Sequence, residues 1–105
     1  MRFLFDRRGQ HIAIELEAEL YSPMGSHVGH YLPDEGIFID TSGRYLGEVL
    51  YGNRLVFNRH SPFRDSDFGN RSHHGNVGNY GNPGNRGAVS LPWGYEDIDA
   101  GRIAV

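Results

Sequence analysis

Phe5-Asp6-Arg7-Arg8-Gly9-Gln10-His11-Ile12, Tyr21-Ser22-Pro23-Met24-Gly25-Ser26-His27-Val28 and Ile39-Asp40-Thr41-Ser42-Gly43-Arg44-Tyr45-Leu46 share one pattern. A bulky apolar residue precedes a short side-chain acceptor; two free positions, Gly, two more residues and an aliphatic follow. A repeat this short is one supersecondary unit, so it speaks to architecture before any single residue does. Asp6, Ser22 and Asp40 open a type I turn that Gly9, Gly25 and Gly43 close, because Gly takes positive φ without steric cost. Pro23 stands second in its turn, where a fixed φ fits. A type I turn ending in a left-handed Gly makes a hairpin with a bulge.

The flanks alternate as strands do. Ile12, Ile14, Leu16, Ala18 and Leu20 are separated by Ala13, Glu15, Glu17 and Glu19, a period of two that a helix would scatter around its circumference. The chain must reverse near Glu17-Ala18 to reach the second turn. Tyr51-Gly52-Asn53-Arg54 offers a two-residue Gly-Asn hairpin turn before Leu55-Val56-Phe57. Phe57-Asn58-Arg59-His60-Ser61 reads as a degenerate fourth copy with Ser61 where Gly is expected. A lone hairpin cannot bury its own face, so the units must pair edge to edge and close into a small barrel. Ile12, Val28 and Leu46 should face inward, and small Ala13, Gly29 and Gly47 permit close approach.

These Asp-x-x-Gly hairpins, with the Gly-Asn tract and Leu91-Pro92-Trp93-Gly94-Tyr95 beyond, resemble the four-fold β-flower proteins, small bacterial proteins. The resemblance implies a shallow pseudo-four-fold β structure and supplies no catalytic residue or cofactor. Ser61 departs from the ideal pattern.

From Gly69 to Gly87 the chain keeps a Gly-Asn-x beat through Gly75, Gly78, Gly81, Gly84 and Gly87, broken only at Ser72-His73-His74. Such spacing suits an extended polyglycine or polyproline-II-like helix, which has no internal hydrogen bonds. An ordered tract therefore needs a partner, either tails of other subunits or a segment folded back on the chain. A flexible solvated linker is the other reading. The expected organisation is a hairpin domain over 1–63, the tract over 64–87, and a C-terminal segment over 88–105 in which Ala88-Val89-Ser90-Leu91 returns to the sheet. Trp93 and Tyr95 either cap the core or dock on a partner.

The 105 residues carry no Cys, no Lys and a formal charge of −3. Thiolate chemistry and disulfides are thereby excluded, and the long-range field does not favour nucleic acid. The charged start at Met1-Arg2 and the lack of a long apolar run predict neither signal peptide nor transmembrane segment, hence a cytoplasmic protein.

His11 and His27 occupy equivalent repeat positions, where two converging imidazoles would suit a transition metal or simply be rim residues. His73 and His74 can chelate adventitiously. His30 and Glu48 also share a repeat position and can meet as an ion pair or acid–base pair. No Gly-x-Ser-x-Gly or phosphate-cradling loop is present. The expected function is a non-catalytic binding or assembly module without cofactor. Its barrel mouth, edged by Tyr21, Tyr31 and Tyr45, would receive an apolar or lipid-like ligand or a partner segment. The alternative is a structural homo-oligomer joined through its tails, and a His/Glu or metal-dependent enzyme ranks below both.

Overall fold

The computed structural model describes residues 1–103. Seven strands run antiparallel in chain order: β1 (Arg2–Phe5), β2 (His11–Leu16), β3 (Glu19–Tyr21), β4 (His27–Leu32), β5 (Ile37–Asp40), β6 (Tyr45–Leu50) and β7 (Arg54–Asn58). β1 then pairs parallel with β7 where Phe5 meets Arg54, which closes the barrel. An eighth strand, β8 (Tyr95–Asp97), adds to the other half of β7.

The three repeats form the expected turns. The Gly9, Gly25 and Gly43 N–H groups donate to the carbonyls of Asp6, Ser22 and Asp40 at 3.1, 2.9 and 3.0 Å. Their φ values are +87°, +93° and +92°. Each unit carries a second irregularity further on. Phe5 pairs with His11 and Leu4 with Ala13, so Ile12 is the extra residue of a bulge. Val28 and Leu46 are the equivalent extra residues in the next two units. Glu17 and Ala18 make the opposite two-residue turn with φ of +52° and +66°. The link before β7 is a three-residue loop, Tyr51-Gly52-Asn53, since Leu50 pairs with Arg54. It is one residue longer than the sequence suggested because Tyr51 joins Gly52 in the left-handed region.

Inside, large residues oppose small ones. Leu4 faces Ala13, Leu20 faces Gly29 and Phe38 faces Gly47. Directly opposed residues share a sheet face. Leu4, Ala13, Leu20, Val28, Phe38, Leu46, Leu55 and Ile98 accordingly make one buried core, with Ile12 packed against it. A Cβ on Gly47 would lie 2.9 Å from the Ile98 Cδ1. Side chains therefore fill the barrel, as in other small closed sheets. On the outer face Ile37, Ile39 and Tyr45 are buried beneath Phe63 and Phe68, which come from the chain after β7.

The fourth unit is completed from a distance. Ser61 N–H donates to the Asn58 carbonyl at 3.1 Å, and the Asn58 side chain accepts from His60 N–H at 2.9 Å, so the turn forms without Gly. Its second strand arrives only after the tract. Tyr95 of β8 pairs with Asn58 and Glu96 with Phe57. The returning strand is thus Tyr95–Asp97, and residues 88–91 take no regular structure.

The tract is wrapped on the barrel's own turns. In Asp67-Phe68-Gly69, Asn76-Val77-Gly78 and Asn85-Arg86-Gly87 the acidic or amide side chain accepts from the Gly N–H at 2.8, 2.6 and 2.6 Å. The middle residues donate their N–H groups to the carbonyls of Gly43, Gly25 and Gly9 at 2.9, 3.0 and 3.0 Å. Arg59 N–H then donates to the Gly94 carbonyl at 2.9 Å. The chain visits the third, second, first and fourth turns in that order. It is not a continuous polyproline-II-like helix, because φ at Gly69, Gly78, Gly81, Gly84 and Gly87 lies between +77° and +91°, whereas that helix needs about −75°. The Asn side chains bend it into successive turns that follow the barrel end.

A Cβ on Gly43 would sit 2.6 Å from the Gly69 nitrogen, whereas one on Gly36 (φ +70°) would meet nothing within 4 Å. Gly36→Ala should therefore cost only the left-handed backbone penalty of about 1–2 kcal/mol. Gly43→Ala should cost more than that and also release residues 67–71. Urea denaturation of both variants, with proteolysis of the tract, checks the difference.

Candidate functional site

The departure from the Gly-Asn-x beat at Ser72-His73-His74 falls where the tract crosses β3 and β4. Glu19 of β3 and His30 of β4 are direct cross-strand partners. Both lie on the outer face, opposite in direction to Leu20 and Gly29. The Glu19 Oε1 atom lies 2.8 Å from His27 Nε2, 2.6 Å from His30 Nδ1 and 3.4 Å from His74 Nε2. The rings of His27 and His30 meet edge to face at 4.7 Å, and His73 and His74 lie 5.8 and 4.8 Å from His27. Two segments, β4 and the tract, thus converge on the one carboxylate of β3.

The proton positions follow from the partners. His74 backbone N–H donates to His27 Nδ1 at 3.1 Å. A neutral His27 therefore carries its proton on Nε2 and donates it to Glu19. His30 donates from Nδ1 to Glu19, which leaves its buried Nε2 as a lone pair without a hydrogen-bond partner among the described residues. Burial lowers the His30 pKa; the Glu19 charge opposes this, and His27 and Arg71 reinforce it.

Glu19, His27 and His74 bring three potential ligand atoms within 4.8 Å of one another. A ligating imidazole nitrogen must be free of its proton, with the other nitrogen normally a donor. His27 has the reverse arrangement, because its Nδ1 is the acceptor of a main-chain N–H. As built, the cluster suits a proton at His27 Nε2 rather than a metal ion.

The pairs expected from repeat symmetry are not brought together. His11 lies between Phe3 and Phe5, with ring separations of 5.1 and 5.9 Å, and its Nε2 is 3.0 Å from the Ala13 carbonyl. It belongs to the first unit and has no contact with His27 of the second. Burial lowers its pKa against the raising effect of the Ala13 bond. His30 takes Glu19, while Glu48 accepts from the Tyr45 hydroxyl at 2.9 Å. Equivalent positions in a ring are one unit apart; His30 finds its partner on the adjacent strand, and Glu48 and His11 find theirs on their own strands.

Tyr21 and Tyr45 are buried, and Tyr31 packs its ring 5.0 Å from Phe38. They do not edge a hollow mouth. A concavity of about 500 Å³ lies between the first two hairpin units and the stretch of tract that arches over them from Gly78 to Gly87. Ile12, Pro23 and Met24 form its apolar floor, and Gln10, Asn79, Asn82 and Asn85 its amide walls. Asn79 and Asn82 spend their Oδ1 atoms on the N–H groups of Gly81 and Gly84, at 2.6 and 2.8 Å. The Asn82 amide nitrogen is a donor left for a ligand, while that of Asn79 spends one hydrogen on the Met24 Sδ at 3.9 Å and keeps the other. Trp93 stacks on His60 at 4.6 Å while 83% exposed, and Tyr95 is half-buried in β8.

Glu19 and His74 were the members least visible in the sequence. Glu19 looks like one of several solvated glutamates, and the usable signal was the single interruption of the tract's beat at His73-His74. Comparison with protein-family models, with curated proteins and with solved structures found no match.

The Tyr45 hydroxyl offers a test of the neighbouring polar site. It also accepts from Asn58 N–H at 3.1 Å. Burial, with the Glu48 carboxylate alongside, pushes its pKa well above the ordinary tyrosine range. Tyr45→Phe should cost about 1–3 kcal/mol by orphaning the Asn58 N–H. A raised phenol pKa makes its contribution complete below about pH 10 and lost as pH rises further. The alkaline fall in stability should accordingly be shallower in Tyr45→Phe, as read by urea denaturation between neutral pH and pH 11.

Proposed function

We propose that this protein is a non-catalytic binding module of the four-fold β-flower kind, and that its ligand occupies the cleft under the tract arch. Four hairpin units around one barrel, the last completed by β8, support the family reading. A filled interior moves any ligand from the barrel mouth to the outside. The observation that carries the proposal is the lining. It combines an apolar floor and an amide-rich wall with no Asp, Glu or Arg. Lowered by burial, His11 at the cleft wall is neutral near pH 7. Such a site excludes ions, whose desolvation nothing there repays. It suits an uncharged ligand with acceptor oxygens and one apolar edge.

The cluster of imidazoles around Glu19 supports the non-catalytic reading, because it faces the tract rather than an open cleft. Self-association remains the alternative function. Docking contacts repeated at nine-residue steps can be made equally by the tract of a second copy, and light scattering at dimer mass with the arch contacts intact would favour it.

Titration with capped neutral tripeptides and neutral disaccharides, beside charged counterparts, tests the cleft. The side-chain amide NMR signals of Asn79, Asn82 and Asn85 should move with neutral probes only. Met24→Glu should abolish that response while leaving the β circular dichroism unchanged. Equal responses to charged probes, or none to any, would overturn the reading.

A further inference from the structure

We propose that the Glu19–His27–His30–His74 cluster is a proton-operated latch that holds the tract on the barrel at neutral pH and releases it in mild acid. Between the Arg71 N–H bond to the Thr41 carbonyl and the Val77 N–H bond to the Gly25 carbonyl, both 3.0 Å, the tract is held by one main-chain hydrogen bond, from His74 N–H to His27 Nδ1, beside the His74–Glu19 pair at 3.4 Å. That bond exists only while Nδ1 is a lone pair. Protonation of His27 places N–H against N–H at 3.1 Å, and the His27–Glu19 pair persists within the barrel while the tract segment is displaced.

The surroundings strengthen the effect. Facing His27 are Glu19 and Tyr21 from β3, His30 from β4, and His73 and His74 from the tract, with Arg71 acting on His30. Arg71 already places one positive charge near His30. Acidification adds up to four imidazolium charges against the one Glu19 carboxylate, and Arg71, His73 and His74 all ride on the tract. Protonated His74 alone would be drawn to Glu19, but it cannot offset repulsion from His27 and His30 together. The docked geometry leaves no room for a proton on His27 Nδ1, and burial lowers the His30 pKa, so the released state binds more protons and docking present at neutral pH is lost as pH falls.

Hydrogen exchange of the full chain at pH 7.5 and 5.0, corrected for the intrinsic pH dependence of exchange, is the test. Protection of the His74 and Val77 amides should fall at least ten-fold in acid, while Leu20 and Phe38 stay protected. His27→Gln keeps an acceptor that does not titrate, and its tract should remain protected at pH 5.0. In the wild-type protein, ¹⁵N shifts of His27 should show the Nε2–H tautomer at pH 7.5, a readout that holds even if the variant folds poorly. Unchanged protection, equal loss in His27→Gln, or the Nδ1–H tautomer would overturn the latch. So would recovery of protection at pH 5.0 by equimolar Zn²⁺, which would make the cluster a metal site.

Discussion

Close contact between turn glycines and tract glycines is the constraint on which the rest depends. A Cβ on Gly9 would lie 2.6 Å from the Gly87 oxygen, and one on Gly25 would lie 2.7 Å from the Gly78 nitrogen. Two backbones can touch this closely only because the turn residue carries no side chain; a Cβ on Gly69, Gly78 or Gly87 would meet nothing within 4 Å, and those positions favour Gly for their φ of +81°, +83° and +77° instead. The approach lets each tract residue before Gly give its N–H to a turn carbonyl. Ordering a residue costs about 1–2 kcal/mol in backbone entropy, so a polar Gly-rich segment would ordinarily stay mobile. Here the Asn-to-Gly side-chain bonds restrict the tract locally, and docking points nine residues apart take up its otherwise unpaired main chain.

The seam of the barrel is tied to the same system. Arg54 opens β7, is buried, and among the described residues has no carboxylate as a hydrogen-bond partner. Its guanidinium donates to the carbonyls of Asp6, Gly87 and Arg86 at 3.2, 2.6 and 3.1 Å. A planar fork with five donors can satisfy several carbonyls at once, which a lysine ammonium would do less well. Arg54 thus links the first turn, the parallel closure of β1 on β7 and the end of the tract. Arg86, in turn, lies over the Phe5 ring at 5.1 Å. Beside this seam, Asp97 of β8 accepts from Arg7 N–H at 2.9 Å, so the last strand is fastened to the first turn as well as to β7.

Chemically distinctive groups gather where the wrapping chain meets the barrel wall. The interior holds only side chains that fill space, and the polar outer face of β3 and β4 meets His73 and His74 as they pass. The orphaned His30 Nε2 marks the limit of what this packing satisfies. A lone pair is cheaper to bury without a partner than a charged imidazolium, which is why burial holds this residue neutral.

The hairpins, their glycines and the small barrel were legible in the sequence because turn chemistry and a period of two are local properties. Asp6, Ser22 and Asp40 act within their own turns; Val28 and Leu46 face the core as their position implied, and Ile12 packs against it while also lining the cleft. The beat of the tract was equally plain, but its conformation was not. Whether Gly78 lies in an extended helix or in a turn depends on Gly25, far away along the chain. Likewise, His30 chose Glu19 over Glu48, and β8 rather than residues 88–91 finished the fourth unit, because strand pairing and not repeat position sets which side chains touch. By itself the sequence determined the repeating unit, since turn and alternation arise from neighbouring residues; only the tertiary structure decided which strands meet at the seam, where the tract runs and which imidazoles meet, since those arise from segments brought together across the whole chain.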